Sequence, residues 1–141
     1  MPATKTYDAK KVSVIVGSRV ISGFAADSMV EVEQDEQAFT KAVGVDGEAT
    51  RSKSNNLSGK ITIQLMQSSD DNDFLSGLAE ADQLSNSGLT PILIRDAGGR
   101  SLHLSPESWV QKLPKAGYTR NAEAREWIFD CGRIISHFGG N

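Results

Sequence analysis

The chain has 141 residues, 38% hydrophobic and 23% charged, the balance of an ordinary globular protein and not of a disordered one. A formal charge of -3 argues against a wholly basic surface for gripping phosphate backbones, while leaving room for a local basic patch. The single cysteine, Cys131, excludes an intramolecular disulfide and a cysteine metal cluster.

This length predicts one domain over residues 1–141, able to bury roughly 68–70% of its extended-chain surface. Met1 to Lys11 is polar, carries three lysines and is not expected to be a secretory signal. No segment approaches the roughly 20 apolar residues a membrane helix needs. Residues 1–9 read as a tail or first edge element. Lys11 to Val16 is β-branched and predicts a strand, Gly17-Ser18 a turn, and Arg19 to Phe24 a hairpin return. Met29 to Gln34 alternates, with Val30 and Val32 on one face and Met29, Glu31 and Glu33 on the other.

Residues 35–43 fit either a short helical turn or an extended continuation. Residues 44–59 are rich in Gly, Ser, Asn and charge, and predict a long protruding loop or hairpin. Most connections are only about 4–6 residues long, so an arm of this length suggests a surface built to touch something. Ile61 to Gln67 then alternates cleanly, with Ile61, Ile63 and Leu65 inward.

Ser68-Ser69-Asp70 predicts a helix start, and Asp70, Asp71 and Asp73 suit the positive helix end. Phe74, Leu75 and Leu78 recur at helical spacing, and Asn86-Ser87-Gly88 stops the helix, which covers about residues 70–85. Leu89 to Arg95 and Arg100 to Leu104 predict a hairpin around Asp96-Ala97-Gly98-Gly99. Ser108 to Lys112 predicts a separate short strand. Arg125 to Ile135 sets Trp127, Phe129 and Cys131 against Ile128 and Asp130, and residues 137–141 read as a flexible tail. The expected fold is mainly β: an antiparallel β-sandwich or open barrel with one packed α-helix.

Little in the chain suggests chemistry. His103 and His137 have no second histidine, cysteine or tight acidic cluster at metal spacing. Cys131 alternates with Trp127 and Phe129, as a small core residue does. Asp70-Asp71-Asn72-Asp73 lacks the ordered spacing of a calcium loop, and Gly98-Gly99-Arg100 lacks a phosphate-loop signature. No catalytic residue, cofactor site or metal site is therefore expected. Arg51, Lys53 and Lys60 form a modest basic group on the arm. Nucleic-acid binding calls for aromatics interleaved with such cations. The arm has none, and Phe39 precedes it by several positions. A protein–protein contact remains open, in which these cations meet Glu31, Glu33, Asp35 and Glu36 of a neighbour.

The order of these features resembles the tail tube proteins of contractile-tailed bacteriophages. The pieces that carry the likeness are Phe39-Thr40-Lys41, Gly44-Val45-Asp46-Gly47-Glu48 and Thr50-Arg51-Ser52-Lys53-Ser54-Asn55, followed by the Ile61–Gln67 strand and Ser68-Ser69-Asp70-Asp71-Asn72-Asp73. The likeness covers nearly the whole chain and is strongest over 38–75. It implies a homo-oligomer of hexameric rings stacked into a hollow tube, assembled in the bacterial host cytoplasm and placed in the virion tail. Sheath and baseplate or terminator proteins would be its partners. DNA would pass through the lumen without specific binding, and no membrane would be involved. The arm would contact a neighbouring subunit through Asp46, Glu48, Arg51, Lys53, Asn55 and Asn56. Glu31, Glu33, Thr62 and Gln64 would face the lumen. Two alternatives stand beside this: an OB-like module for single-stranded nucleic acid, and the tube subunit of a pyocin or secretion-type injection system.

Overall fold

The computed structural model describes residues 3–140. A 3-10 turn at Ala9–Lys11 leads into ten strands and one helix. The strands are β1 (Val12–Val16), β2 (Arg19–Val20), β3 (Val30–Gln34), β4 (Phe39–Val43), β5 (Ala49–Lys53) and β6 (Gly59–Met66). After helix α1 (Asp71–Ser85) come β7 (Thr90–Asp96), β8 (Leu102–Lys112), β9 (Ala124–Cys131) and β10 (Ile135–His137). Eight strands form one antiparallel sheet in the order β2-β1-β7-β8-β9-β6-β3, with β10 also on β8. The sheet does not close into a barrel, and β4 and β5 stand apart as a separate pair.

Alternation decides which side of the sheet becomes core. Register aligns Val14 with Ile94 and Val16 with Ile92. Across the other half, Phe129 sits opposite Ile61 and Trp127 opposite Ile63. Val32 and Val30 extend the row on β3. Half-buried Val30 and Val32 pack against one buried cluster, formed by the other side chains of these pairs with Leu65, Cys131, Ile134 and Leu75 of the helix. Cys131 lies in it, and burial pushes its thiol pKa up, which suits packing and not nucleophilic chemistry.

The two short strands expected at 100–104 and 108–112 are one continuous β8. Pro106 looks like a break in the sequence but lies at a bulge, where the β7 pairing slips between Ile92–Ser105 and Thr90–Ser108. A bulge tolerates a missing N–H and adds twist. Here Ser105 and Ser108 keep the inner face small, and the Ser108 hydroxyl donates to the Thr90 carbonyl at 2.6 Å.

The helix starts one residue later than its sequence signal. Asp70 makes no side-chain cap; instead the Asp71 N–H donates to Ser69 Oγ at 3.3 Å. Asn86 in the left-handed conformation (φ 55°) closes the other end. The tail expected at 137–141 is largely ordered. His137 belongs to β10, Phe138 packs edge-on against His103 at 4.8 Å, and Gly139 donates to Ser101 Oγ. Asn141 lies outside the described residues.

Gly59 is where β3, β6 and β9 converge and where the arm leaves the sheet. A Cβ there would strike the Glu33 carbonyl oxygen and the Ile134 side chain. Gly59→Ala is expected to lower unfolding free energy by about 1–3 kcal/mol, the usual cost of overpacking, read from urea melts at unchanged m-value.

Candidate assembly surface

The arm is a hairpin. Register sets Phe39 opposite Lys53, Lys41 opposite Arg51 and Val43 opposite Ala49. At its tip, Gly47 N–H bonds to the Gly44 carbonyl and Gly44 N–H to that of Glu48, with Gly47 at φ 90°. That is a turn followed by a left-handed glycine, a standard three-residue hairpin loop. The Asp46 carboxylate accepts the Glu48 N–H at 3.1 Å.

Between residues 35 and 58 no side chain is buried, so β4 and β5 rest on no core. Only the root is tied down. Asp35 N–H meets the Ser58 carbonyl, Ser54 N–H meets that of Ala38, and Ile134 N–H bonds to the Leu57 carbonyl. Ser58 Oγ donates to Asp35 and Ser54 Oγ to Glu36, both carboxylates expected to meet a neighbour's cations. Asn56 uses its oxygen on the Ser58 N–H, while Asn55 is exposed.

The hairpin has two unlike faces. Phe39, Lys41 and Val43 share one with Ala49, Arg51 and Lys53; Thr40, Ala42, Thr50 and Ser52 form the other. The Arg51 guanidinium lies 4.3 Å from the Phe39 ring centre. The expectation that no aromatic accompanies the arm's cations is therefore corrected: strand pairing brings in Phe39 from twelve positions away. Lys60 does not belong to this group, because it lies on β6 opposite Glu33.

The four residues expected to face a lumen share the outer side of the main sheet. Glu31 lies opposite Thr62, Glu33 opposite Lys60, and Gln64 further along β6 opposite Glu126. Glu31 and Glu33 are exposed; Thr62 and Gln64 are half-buried. The same side carries Asp130 opposite Lys60, and Lys112 opposite Ile128. Arg95 of β7, opposite Ser13 and Leu102, also lies on this side, so four carboxylates meet three cations and the balance is slightly acidic. At one edge of the sheet, β3 pairs with no strand beyond β6 among the described residues.

Two further polar sites carry no clear sequence signal of their role. Asp71 is 2% exposed and accepts from the Arg19 guanidinium, from Ser22 N–H at 2.7 Å and from Ser22 Oγ at 3.2 Å. Burial alone would raise its pKa, but the Ser22 backbone bond and Arg19 outweigh it and hold the carboxyl below its ordinary value. His103, bonded through Nδ1 to Ser136 at 2.8 Å, has its pKa lowered by burial. Neither belongs to a metal cluster: among the described residues no three His, Cys, Asp or Glu side chains come together to hold an ion.

An exposed hairpin joined to an open antiparallel sheet with one helix is an architecture shared with known proteins. The family model for the bacteriophage PhiTE tail tube protein matches residues 7–139. The chain belongs to this tail tube family. A curated relative, "Structural protein ORF10" of Pseudomonas phage KPP10, is 33% identical over 146 aligned positions, covering 98% of this chain and 84% of that protein. Among solved structures, the tube terminating cap of the anti-feeding prophage superposes with a TM-score of 0.65 at 12% identity, over 97% of this chain and 94% of that one. The sheath/tube terminator of the extracellular contractile injection system PVC, in the extended state, gives 0.66 at 16% identity, over 97% and 100%. The sheath–tube complex of that system gives 0.61 at 18% identity, over 94% and 91%. These three likenesses are likenesses of fold. Membership makes the chain a structural protein of the phage tail, and no helix among its described residues is long and apolar enough to cross a membrane.

Proposed function

We propose that the chain is a structural subunit without catalytic chemistry, which self-assembles into stacked hexameric rings forming the conduit for DNA ejection. The observation that carries this reading is the β4–β5 hairpin, a two-stranded element held to the body at its root alone. An isolated hairpin is marginal in water, so one kept this long is expected to pack on another subunit. Asp46, Glu48, Arg51, Lys53 and Asn55 are the contact residues; Asn56 shapes the root.

The free edge of β3 supplies the second element. An unpaired edge is a liability in a monomer and a means of joining in a ring, where a neighbour completes the sheet. Glu31, Glu33, Thr62 and Gln64 then line the channel, and the acidic balance of that face repels passing DNA. The chain assembles in the host cytoplasm and resides in the virion tail, beside sheath and terminator or baseplate proteins. A cryo-EM map of assembled tubes is expected to show Glu31 and Glu33 on the channel wall. A map with both carboxylates buried against a neighbour contradicts the assignment.

Phe39 among Lys41, Arg51 and Lys53 supports a second reading, a contact to single-stranded nucleic acid. Gel shifts across a salt titration decide it, since phosphate binding weakens steeply with salt. The tube reading predicts no shift at about 0.15 M salt.

A further inference from the structure

At the far end of the sheet from the hairpin lies a cleft of about 380 Å³, walled by Leu113, Pro114, Tyr118 and Trp127 with Asn72 and Arg125. Arg125 holds an unusual position. It pairs opposite Leu65 on the same face as Trp127 and Phe129, which makes it a cation on the apolar side of β9. The residue is half-buried, and its guanidinium lines the cleft 5.4 Å from the Tyr118 ring centre. One nitrogen, Nη1, is buried and has no hydrogen-bond partner. Among the described residues no carboxylate pairs with Arg125, and the natural complement of a guanidinium lining a cleft is a carboxylate.

The hairpin tip offers that group. Val45 is fully exposed, and Glu48 beside it is exposed as well. Position supports the match. The hairpin leaves the sheet where β3 ends at Gln34 and β6 begins at Gly59, whereas the cleft lies past the other ends of β6 and β9. The eight residues of β6 separate the two by roughly 26 Å at about 3.3 Å per residue. Two unlike surfaces at opposite ends of one chain make a head-to-tail contact, which propagates along an axis and gives it a direction.

We propose that the Arg125–Tyr118 cleft receives the hairpin tip of another copy of this chain, with Val45 of that copy against the apolar wall and its Glu48 carboxylate on Arg125. This rests on the hairpin being the inter-subunit clasp and adds where the clasp lands.

Charge reversal tests it in the full-length chain. Glu48→Arg alone and Arg125→Glu alone are each expected to cut pelletable polymer at least tenfold, and the double variant to recover it to within about twofold of wild type. Arg125→Met guards against a folding artefact. Removing an unpaired buried donor is expected to leave the melting temperature unchanged or raised, while polymer still falls. If both single reversals polymerise like wild type, or if the double variant is no better than the singles, the cleft is not the receiver. Loss of polymer on replacing the hairpin, with normal polymer in Arg125→Glu, overturns this pairing and leaves the clasp reading standing. Normal polymer without the hairpin overturns both.

Discussion

Replacing residues 37–56 by an Asn-Gly turn is expected to yield a well-folded chain that forms no long tubes. The excised stretch contains no buried side chain, so the core cluster loses nothing. Asp35 and Ser58 already face each other through a backbone hydrogen bond, so the shortened connection continues an existing ladder between β3 and β6. Asn-Gly suits a two-residue turn joining such strands. Thermal melts of the variant are expected within a few degrees of wild type, because surface changes usually cost under about 0.5 kcal/mol. Polymer, read by sedimentation, is expected to be lost. A variant that both folds and polymerises normally would remove the hairpin from the assembly mechanism.

Asp71→Ala is expected to have the largest effect on the monomer, lowering unfolding free energy by about 2–3 kcal/mol. The Ser22 contacts contribute more of this than the ion pair does. Arg19 is half-exposed, and an exposed cation contributes little to such a pair. The Ser22 N–H, by contrast, donates at 2.7 Å to a carboxylate that is nearly fully buried. For a chain of this size the loss corresponds to roughly 5–10 °C in melting temperature. The effect carries a pH signature. Because the folded pKa of Asp71 lies below its unfolded value, its stabilisation is present above about pH 4 and is lost as pH falls through the lower folded value. The gap between wild type and Asp71→Ala in urea melts is therefore expected to be wide at neutral pH and to shrink in acid. A gap that is the same at pH 3 and pH 7 would show that the carboxylate charge is not what Asp71 contributes.

Elements with one oily and one polar face were legible in the sequence. Ile61, Ile63 and Leu65 on β6, and Trp127, Phe129 and Cys131 on β9, alternate because a period of two is what half-burial imposes, and all six are buried. β5 was not legible as a strand. Ala49, Thr50, Arg51, Ser52 and Lys53 are all exposed, so no core had imprinted a pattern on them. Two short strands were expected where β8 is continuous, because local sequence cannot show that a bulge will absorb Pro106. Ordering of the C-terminal segment depends on Ser101 and His103, which lie more than thirty residues away.

The exposed hairpin was legible in outline. Length and polarity marked residues 44–59 as an arm, and alternation placed Glu31 and Glu33 on one side of a strand. Its chemistry was not, because Phe39 and Arg51 meet only through strand pairing. Asp71 looked like one more acid at a helix start, and nothing nearby in sequence pointed to Arg19 and Ser22. Arg125 was passed over, although it stands two positions before Trp127 in an alternating strand and therefore lies on the apolar face.

Negative-stain electron microscopy of the purified full-length chain addresses self-assembly without further assumptions. Rings of uniform diameter, and tubes built by their end-to-end stacking, are the expected images. A chain that stays monomeric at high concentration, across salt and pH conditions in which it remains folded, would contradict the proposal that it builds the tail tube by itself.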